Sequence, residues 1–547
     1  MRNLFFAPPD FSFFGKFNKR MRVNFSENRL TIFLLTLAAI YFSAACRTAP
    51  VNDLRKLAPR ETLVYLETKD VGATLDALTA SPAFRTLAGK KDFSALANVQ
   101  VAVAVTGFET SEKDSILNLK PRFVAVADTH LWNWQAVALV ENQLDGFVRK
   151  NYGAAAQIEK IDKDDGAFFT WTAEDSRRFF AFAQDGLIYF GNDAGAIEKC
   201  LAIKKGAGES LAQNEYFARA YKKNNLAFGY VSSDGISQIA ALEGVSIAVS
   251  QSEEANERSF IARILPPILQ NTTSEIVWTA NRGERGIEDK YSVTLKPEIV
   301  PILKEILDAD AVLPKDFVDF LPSEVFSATR YNLRNPLLAW RGSVLLATRN
   351  TDDLSRQFLS SLSGKLLEPY SIGEAELFLS AVSAPIVTAQ FDATGEKSVT
   401  LATVKDLTRL KDSISKEINF ESPPEKQANS EIWFSQDKTL AAAFIENKII
   451  LGDGASVLKC LAIWRGEKKS SNNITFLRLA ANQNVAATFG TDADSAEKIA
   501  GVLGNLKTEN RKPATFYTTE TRLTENGFER VTVSDFGFVG TILKNLN

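Results

Sequence analysis

An internal repeat constrains the fold of this chain more than any other feature. The residues around Cys200, Ile-Glu-Lys-Cys-Leu-Ala-Ile at 197–203, match Val-Leu-Lys-Cys-Leu-Ala-Ile around Cys460 at 457–463. The match continues in the same order at 185–192 with 446–453 and at 225–230 with 484–489. The offset of about 260 residues is far longer than the period of solenoids and propellers, so the repeat predicts a duplicated domain.

The repeat also sets the predicted domain boundaries. The chain has 547 residues, which is enough for about three domains or two large ones. We place the first copy at 52–310 and the second at 315–540, with 310–314 as the only candidate linker. The two cysteines then occupy equivalent positions in different copies, where we expect small buried core residues rather than a disulfide.

Each copy mixes two kinds of hydrophobic periodicity. Short segments such as 187–191 predict strands. Asp185 and Gly186 predict a hairpin turn directly before the strand at 187–191. Helical periodicity follows at 195–204, with Asn192 as the predicted N-cap. Consecutive hairpins punctuated by helices predict an α+β fold, with two tandem homologous domains that are each a mainly antiparallel sheet with helices packed on one face.

The amino terminus has the pattern of an export signal. Three arginines precede an apolar run at 30–42, which Ser-Ala-Ala-Cys follows at 43–46. A spanning helix needs roughly 20 apolar residues, so this run is too short to span a membrane and instead suits the hydrophobic region of a signal peptide. We therefore predict a signal peptide over 1–45 that is cleaved after Ala45.

Residues 43–46 resemble the lipobox of bacterial lipoproteins, in which the cysteine thiol receives a diacylglyceryl group and becomes the mature amino terminus. The resemblance implies lipidation of Cys46 with 46–51 as a lipid-anchored tether, because two acyl chains suffice for stable anchoring. A plain secretory signal cut at Ala45 and an uncleaved anchor are the alternatives. Residues 1–20 are interpreted as a misassigned start, because the segment after them already has the proportions of a complete signal.

The net charge argues against nucleic acid as a partner. The full chain carries −3, and residues 1–45 hold six basic and two acidic side chains, so their removal leaves about −7. A mildly acidic surface gives no electrostatic footprint for nucleic acid or for anionic lipid. We therefore predict no nucleic-acid partner, and contact with a membrane only through the lipid on Cys46.

The residue patterns that carry most enzymatic chemistry are missing from the sequence. His130 is the only histidine, so a site of the Ser-His-Asp or Cys-His type has a single candidate base. No Walker loop, nucleophile elbow or dinucleotide fingerprint occurs, and the residue counts exclude zinc sites built from cysteine and histidine. We predict no catalytic residue, no cofactor and no metal site.

Trp132 and Trp134 are the one candidate partner contact. They lie two residues apart at the start of a predicted helix, where they could form an exposed platform for a partner or a lipid. Packing in the core is the alternative interpretation, and it is the default for the many aromatic residues at alternating strand positions.

The segment after the signal carries a family resemblance. Cys46 is followed by Pro-Arg-Glu-Thr-Leu-Val-Tyr-Leu at 59–66, and a strand pair that ends in Phe190-Gly191 precedes a helix. This pattern resembles a group of uncharacterised bacterial envelope lipoproteins, a domain-of-unknown-function family whose members begin with a Pro-x-acid-Thr-x-x-Tyr strand after a secretion signal. The resemblance implies a fold and a compartment, with no known activity to transfer.

These patterns predict a non-enzymatic, lipid-anchored protein of the bacterial cell envelope, with a duplicated domain and a binding or scaffold role. We expect it to be exported, anchored through Cys46 facing the periplasm or on the cell surface, and to have an envelope protein as partner. The alternatives are an envelope hydrolase that uses carboxylates or an unrecognised serine, and a carrier of an apolar ligand between the two domains. Paired carboxylates with perturbed pKa values would favour the hydrolase. An apolar cavity would favour the carrier, and an exposed aromatic patch would favour the scaffold.

Overall fold

The structure of the chain is a computed structural model. It describes residues 52–113, 116–163, 166–221, 225–241, 269–307, 317–349, 370–427, 429–467, 484–492, 494–503 and 513–544, with the single residues 353, 357 and 367. The predicted signal peptide 1–45, its cleavage site at Ala45, Cys46 and the tether 46–51 all lie outside the described residues.

The fold is α+β, as the sequence predicted, and the strand pairs with a defined register are antiparallel. In chain order the described strands are β1 (Val64–Thr68), β2 (Gln100–Lys113), β3 (Ile116–Asp128), β4 (Gln157–Lys163), β5 (Gly166–Thr172), β6 (Arg178–Gln184), β7 (Leu187–Gly191), β8 (Ala227–Val231), β9 (Thr273–Gly283), β10 (Gly286–Leu295), β11 (Ser327–Tyr331), β12 (Val382–Gln390), β13 (Ser398–Val404), β14 (Glu425–Gln427), β15 (Ser430–Phe434), β16 (Leu440–Ile445), β17 (Lys448–Asp453), β18 (Ala486–Asp492), β19 (Thr515–Thr524) and β20 (Gly527–Ser534).

The described α-helices, which alternate with the strands along the chain, are numbered separately. They are α1 (Val71–Thr79), α2 (Pro82–Ala88), α3 (Asn133–Leu139), α4 (Asp145–Tyr152), α5 (Ala194–Lys204), α6 (Glu215–Ala220), α7 (Val300–Ile306), α8 (Pro336–Thr348), α9 (Ala375–Ala381), α10 (Leu407–Ser413), α11 (Gly454–Trp464), α12 (Ser495–Leu503) and α13 (Gly537–Lys544). Residues 233–241 are also helical, and a π-helical segment, Val140–Leu144, joins α3 to α4.

The described residues form two compact units. The first unit contains those within 52–292, 493–515 and 533–544, and the second unit contains those within 293–492 and 516–532. Each unit is therefore assembled from separate stretches of chain. The predicted boundaries at 52–310 and 315–540 describe a sequence repeat, which is a different property from compactness, and they stay a prediction.

The sheet of the first unit has the spatial order β4-β5-β6-β7-β3-β2-β1-β8-β9. Strand β9 turns back into β10. The sequence analysis predicted helices on one face of the sheet, and this prediction is wrong for the first unit. Every residue of β7 is buried, so other parts of the chain cover both faces of this strand. Tyr65 of β1 packs edge to face on Phe217 of α6, with ring centroids 5.3 Å apart, whereas the next residue, Leu66, packs in the other core with Leu75 of α1.

The second unit has the sheet order β14-β15-β16-β17-β13-β12-β11-β18. Strands β19 and β20 form a hairpin. Helices cover both faces of this sheet as well. Ile450 of β17 packs in one core with Cys460 of α11, and the neighbouring Ile449 packs in the opposite core with Leu410 of α10. Both sheets are thus three-layer arrangements rather than one-sided ones.

The last helices of the chain complete the core of the first unit. Ile499 of α12 and Leu543 of α13 are buried in the same core as Phe84 of α2. Ser81, which precedes α2, donates a hydrogen bond of 2.8 Å to Asp535, just before α13. The carboxyl-terminal helices are therefore structural parts of the unit that holds the amino-terminal strands.

Helix α7 completes a core of the second unit. Its Leu303 and Ile306 are buried with Ala339 of α8. A Cβ atom at Gly342 of α8 would lie 2.6 Å from Cδ1 of Ile306, so only glycine allows the two helices to approach this closely. The position of α7 is thus defined by close packing on α8.

Candidate functional site

Trp132 and Trp134 lie at the beginning of α3, on the surface of the first unit. The residues are 46% and 70% exposed, whereas Ala136 and Leu139 on the inner face of the same helix are buried. The indole rings therefore do not belong to the core. The inner face of α3 is buried, and two large exposed aromatic side chains lie at its start. Such side chains are enriched at protein interfaces.

The turn before α3 fixes the direction in which the tryptophans emerge. His130 has a positive φ of 54°, its Nδ1 lies 3.3 Å from Oδ1 of the buried Asp128, and its Nε2 lies 2.9 Å from the backbone oxygen of Asn98. A left-handed residue at this point reverses the chain as it leaves β3. The single histidine thus has a structural function, which is to hold the turn that leads to the aromatic pair.

The hairpin turn between β6 and β7 supports the same surface. The backbone N–H of Asp185 donates to Oδ1 of Asn133, the first residue of α3, at 3.2 Å. Thr129 donates to the carbonyl oxygen of Gly186 through its backbone N–H at 3.0 Å and through its hydroxyl at 2.7 Å. The exposed tryptophans are therefore carried by hydrogen bonds between two turns, which is the rigid support that an interaction site needs.

Cys200 and Cys460 are buried thiols in the middle of α5 and α11, as the sequence predicted. Burial raises the pKa of both thiols from 9 to about 12. The thiolate is the reactive form of cysteine, so thiols held in this state are poor nucleophiles. Both cysteines therefore serve packing rather than chemistry.

Glu67 of β1 is a buried carboxylate that the sequence analysis missed. Desolvation by burial raises its pKa, against the opposing charge of Lys69 and a hydrogen bond of 3.3 Å from the hydroxyl of Tyr221. Its sequence signal was visible, because Glu67 is in phase with the inward-facing Tyr65 in an alternating strand.

Charged groups around Tyr221 partly neutralise one another. The guanidinium of Arg55 stacks on the Tyr221 ring at 3.6 Å and donates two hydrogen bonds of 2.7 Å to the carboxylate of Asp53. Burial alone would raise the pKa of Asp53, but the hydrogen bonds and charge of Arg55 lower it below its usual range. The group thus ties the segment before β1 to the segment after α6.

Asp289 of β10 is the second buried carboxylate absent from the sequence predictions. Burial raises its pKa to about 7, although its two oxygens accept hydrogen bonds from the indole N–H of Trp278 at 2.8 Å and from the backbone N–H of Phe538 at 2.7 Å. Phe538 is in the first turn of α13, so the carboxyl group caps that helix. Both oxygens of Asp289 thus accept hydrogen bonds from the surrounding fold, whereas Glu67 accepts one at Oε1 and its buried Oε2 has no hydrogen-bond partner among the described residues.

The part of the chain that the structure describes contains no group of three or more His, Cys, Asp or Glu side chains arranged to hold a metal ion. Nor does any helix in that part have the length and hydrophobicity needed to cross a bilayer.

Comparisons with known proteins give little further guidance. No family model matches the chain, and no curated protein matches it. Among solved structures, crystal form I of TP0453 is similar over 49% of this chain and 91% of its own chain, with 11% sequence identity and a TM-score of 0.24. A TM-score this low identifies no shared fold.

Proposed function

We propose that this chain is a non-enzymatic binding protein of the bacterial cell envelope, with a duplicated domain and a lipid anchor on Cys46. The two exposed tryptophans at the start of α3 carry the proposal, because large aromatic side chains beside a hydrogen-bonded turn are of the kind that binds a protein partner. The partner we propose is another protein of the envelope, contacted by Trp132 and Trp134.

The aromatic pair suits protein binding for two physical reasons. Tryptophan offers a large apolar area with few rotatable bonds, so little conformational entropy is lost when a partner covers it. The surrounding turns are already fixed by the hydrogen bonds of His130 and Thr129, so the free protein is preorganised. Scattered single hydrophobic residues need no explanation, whereas Trp132 and Trp134 are two large exposed side chains close together in the sequence at the start of one helix.

Strand order and register support the duplication. Read from the outer strand inward, the first unit runs β4-β5-β6-β7-β3-β2-β1-β8 and the second runs β14-β15-β16-β17-β13-β12-β11-β18. In the pair β3 with β7, Val124 lies opposite Gly191, and in the pair β13 with β17, Val399 lies opposite Gly452. Independent domains have no reason to share a strand order, a register and a glycine at the same pairing position.

Helix placement supports the same proposal. One helix follows the hairpin in each unit, α5 after β7 and α11 after β17, and each begins after an aspartate N-cap. Residues 233–241 follow β8 as α12 follows β18, and α7 follows β10 as α13 follows β20. We therefore propose two copies that have exchanged α7 and α13, since α7 packs in the second unit and α13 packs in the first. Helix α12 and its counterpart at 233–241 both belong to the first unit.

A hydrolase that uses carboxylates is less well supported. Paired carboxylates with perturbed pKa values would favour it, but Glu67 accepts from Tyr221, and Asp289 accepts from Trp278 and Phe538. These donors belong to the folded protein. The two acids also lie apart, Glu67 in β1 and Asp289 in β10, and each is held by its own donors rather than paired with another carboxylate of raised pKa.

The binding surface is tested by crosslinking and co-purification from intact envelopes. Trp134→Ala should abolish recovery of a specific envelope protein that the wild-type chain retains. Tyr216→Ala is the matched control, because Tyr216 is an aromatic residue with 58% exposure on another helix, α6. Equal recovery by both variants and the wild type would refute the aromatic pair as the contact.

The anchor is tested by mass spectrometry of the mature amino terminus, with membrane fractionation. We expect a mature chain that begins at Cys46 with a diacylglyceryl modification and sediments with membranes, whereas Cys46→Ser should leave the protein unlipidated. A soluble wild-type species with an unmodified residue 46 contradicts the anchor and leaves the aromatic contact to be judged on its own test.

A further inference from the structure

Strand β4 is the outer strand of the first sheet and is exposed along its whole length. It pairs with β5, from Gln157 opposite Thr172 to Lys163 opposite Gly166, and with no other described strand. All seven of its residues are exposed. Its outer row of backbone N–H and C=O groups is therefore a template on which a further strand can pair.

Strand β4 carries charged side chains, which discourage unspecific pairing at an edge, but it lacks the other protective features of natural edges. Natural edges are often shortened or interrupted by proline. The outer strand of the second sheet, β14, has three residues and follows Pro423-Pro424. Strand β4 has seven residues without proline, and its Ile158 and Ile161 are 41% and 47% exposed.

We propose that β4 is a self-association edge, on which two copies of this chain pair antiparallel with Ile161 opposite Ile161 of the second copy. A symmetric antiparallel pair has a two-fold axis perpendicular to the sheet. At this axis one residue of β4 lies opposite the same residue of the second copy. The sheets of the two copies would then continue into one another across the axis.

Charge complementarity selects the register. Centred on Ile161, the pairing places Lys160 opposite Asp162 and Glu159 opposite Lys163, and the two-fold axis repeats both pairs. Opposite charges directly across an antiparallel pair stabilise it, and like charges destabilise it. The four charged residues of β4 are thus all matched in one alignment.

The neighbouring registers lack this match. Centring on Lys160, Glu159 or Asp162 sets that residue against its own copy, which places like charges opposite each other. A centre on Ile158 moves the charged residues out of the paired stretch. Within one chain the ammonium group of Lys160 lies 2.9 Å from Glu141 and 3.3 Å from Asp162. It is therefore already oriented on the strand face that it shares with Asp162, where Asp162 of the second copy would lie opposite it.

A pair of charge variants of the full chain tests the proposal. One has an acidic edge through Lys160→Glu with Lys163→Glu, and the other has a basic edge through Glu159→Lys with Asp162→Lys. Since all four positions are exposed, we expect both to fold as the wild type does, which circular dichroism checks. Sedimentation equilibrium should show a wild-type dimer, two monomeric variants, and a one-to-one heterodimer when the variants are mixed.

Other results of that experiment overturn the proposal. A wild-type chain that stays monomeric at all concentrations tested, or variants that both remain dimeric, would show that β4 does not hold two copies together. Monomeric variants that fail to associate when mixed would reject the charge-matched register.

A disulfide crosslink tests the register directly. Directly opposite residues of an antiparallel pair have Cα atoms about 4.5–5.5 Å apart, which a disulfide can bridge. In a Cys46→Ser background, Ile161→Cys should form a covalent dimer on mild oxidation, whereas the equally exposed control Ile158→Cys, which does not face itself, should not. Equal crosslinking by both variants, or a crosslink of Ile161→Cys only to a different envelope protein, contradicts self-association in this register.

Discussion

The hairpin and helix around Cys200 can be compared with those around Cys460, one in each unit. Gly191 at the end of β7 and Gly452 in β17 both lie so close to the neighbouring strand that a Cβ atom would be 2.1 Å from a backbone oxygen, that of Phe123 or of Ser398. No side chain fits at either position. What the two units repeat here is therefore a close backbone contact, and this contact requires glycine because any other residue would carry a Cβ atom.

The difference lies in the partners of the helix caps. Asp193 accepts from the backbone N–H of Ala196 at 3.1 Å and also from the guanidinium of Arg122 at 2.9 Å. Asp453 accepts from both the backbone N–H and the hydroxyl of Ser456, at 2.9 and 2.6 Å. An aspartate caps the helix in both units, but the second group that each aspartate binds differs. The backbone hydrogen bond of the cap is therefore common to the two units, whereas the side-chain contacts are not.

The largest effect that we expect concerns thiol reactivity, and it should be equal in the two units. A pKa of about 12 in place of 9 lowers the thiolate fraction of Cys200 and Cys460 about a thousandfold at pH 8. Alkylation by iodoacetamide, followed by mass spectrometry, should be slow for both thiols in the native protein and rapid in denaturant. Fast native labelling of one cysteine alone would break the equivalence of the two helices.

Alanine at either close-contact glycine should cost about 3 kcal/mol of local stability, because the new methyl group must displace a strand backbone. Hydrogen exchange of α5 reports on Gly191→Ala, and exchange of α11 reports on Gly452→Ala. Gly146→Ala is the control, since Gly146 in α4 has no atom within 4 Å of a Cβ and alanine favours a helix by up to about 1 kcal/mol. Protection that is unchanged in both test variants would contradict the close contact.

Serine at either cysteine should cost about 2 kcal/mol, because a hydroxyl group would be buried where the fold provides a place for a thiol. Alanine is the informative control, since it leaves a small cavity but no polar group. Chemical denaturation should rank wild type above Cys200→Ala and Cys200→Ser lowest, with the same ranking at Cys460. A reversed ranking in one unit would separate the two sites.

Loss of a cap should have the smallest effect. Asp193→Ala and Asp453→Ala should each cost about 1 kcal/mol, because each removes one acceptor for the first helical turn. The extra ion pair of Asp193 adds little, since the side chain of Arg122 is 50% exposed and screened by water. Hydrogen exchange at the first turns of α5 and α11 measures this, and a difference well above 1 kcal/mol at low and high salt alike would show that the second partner matters.

Local structure was largely readable from the sequence, because short-range rules decide it. The hairpin of β6 and β7 follows from alternation around Asp185-Gly186, and Asp185 does adopt a positive φ of 52°. The predicted N-cap at Asn192 was wrong by one residue, because Asp193 caps α5. The side-chain oxygen of Asn192 instead accepts a hydrogen bond of 2.9 Å from the backbone N–H of Phe123. This contact joins two strands, and spacing in the sequence does not reveal it.

Long-range packing was not readable in the same way. An amphipathic helix such as α12 shows which of its faces is apolar, but not which part of the chain it will cover, and α12 packs in the first unit. The cover on both sheet faces was missed because β7 reads as a short apolar run, which fits more than one environment. The buried acids Glu67 and Asp289 carry a signal in their alternation with inward-facing residues of β1 and β10.

The place of α13 has a consequence for how the protein is made. Its Leu543 and the preceding Phe536 are buried with residues of α1 and α2, which are synthesised more than four hundred residues earlier. During synthesis, the core around the amino-terminal strands therefore stays incomplete until the segment 533–544 has been made. The contacts that complete this core have a large separation in sequence, and such contacts form slowly and expose apolar surface until they do.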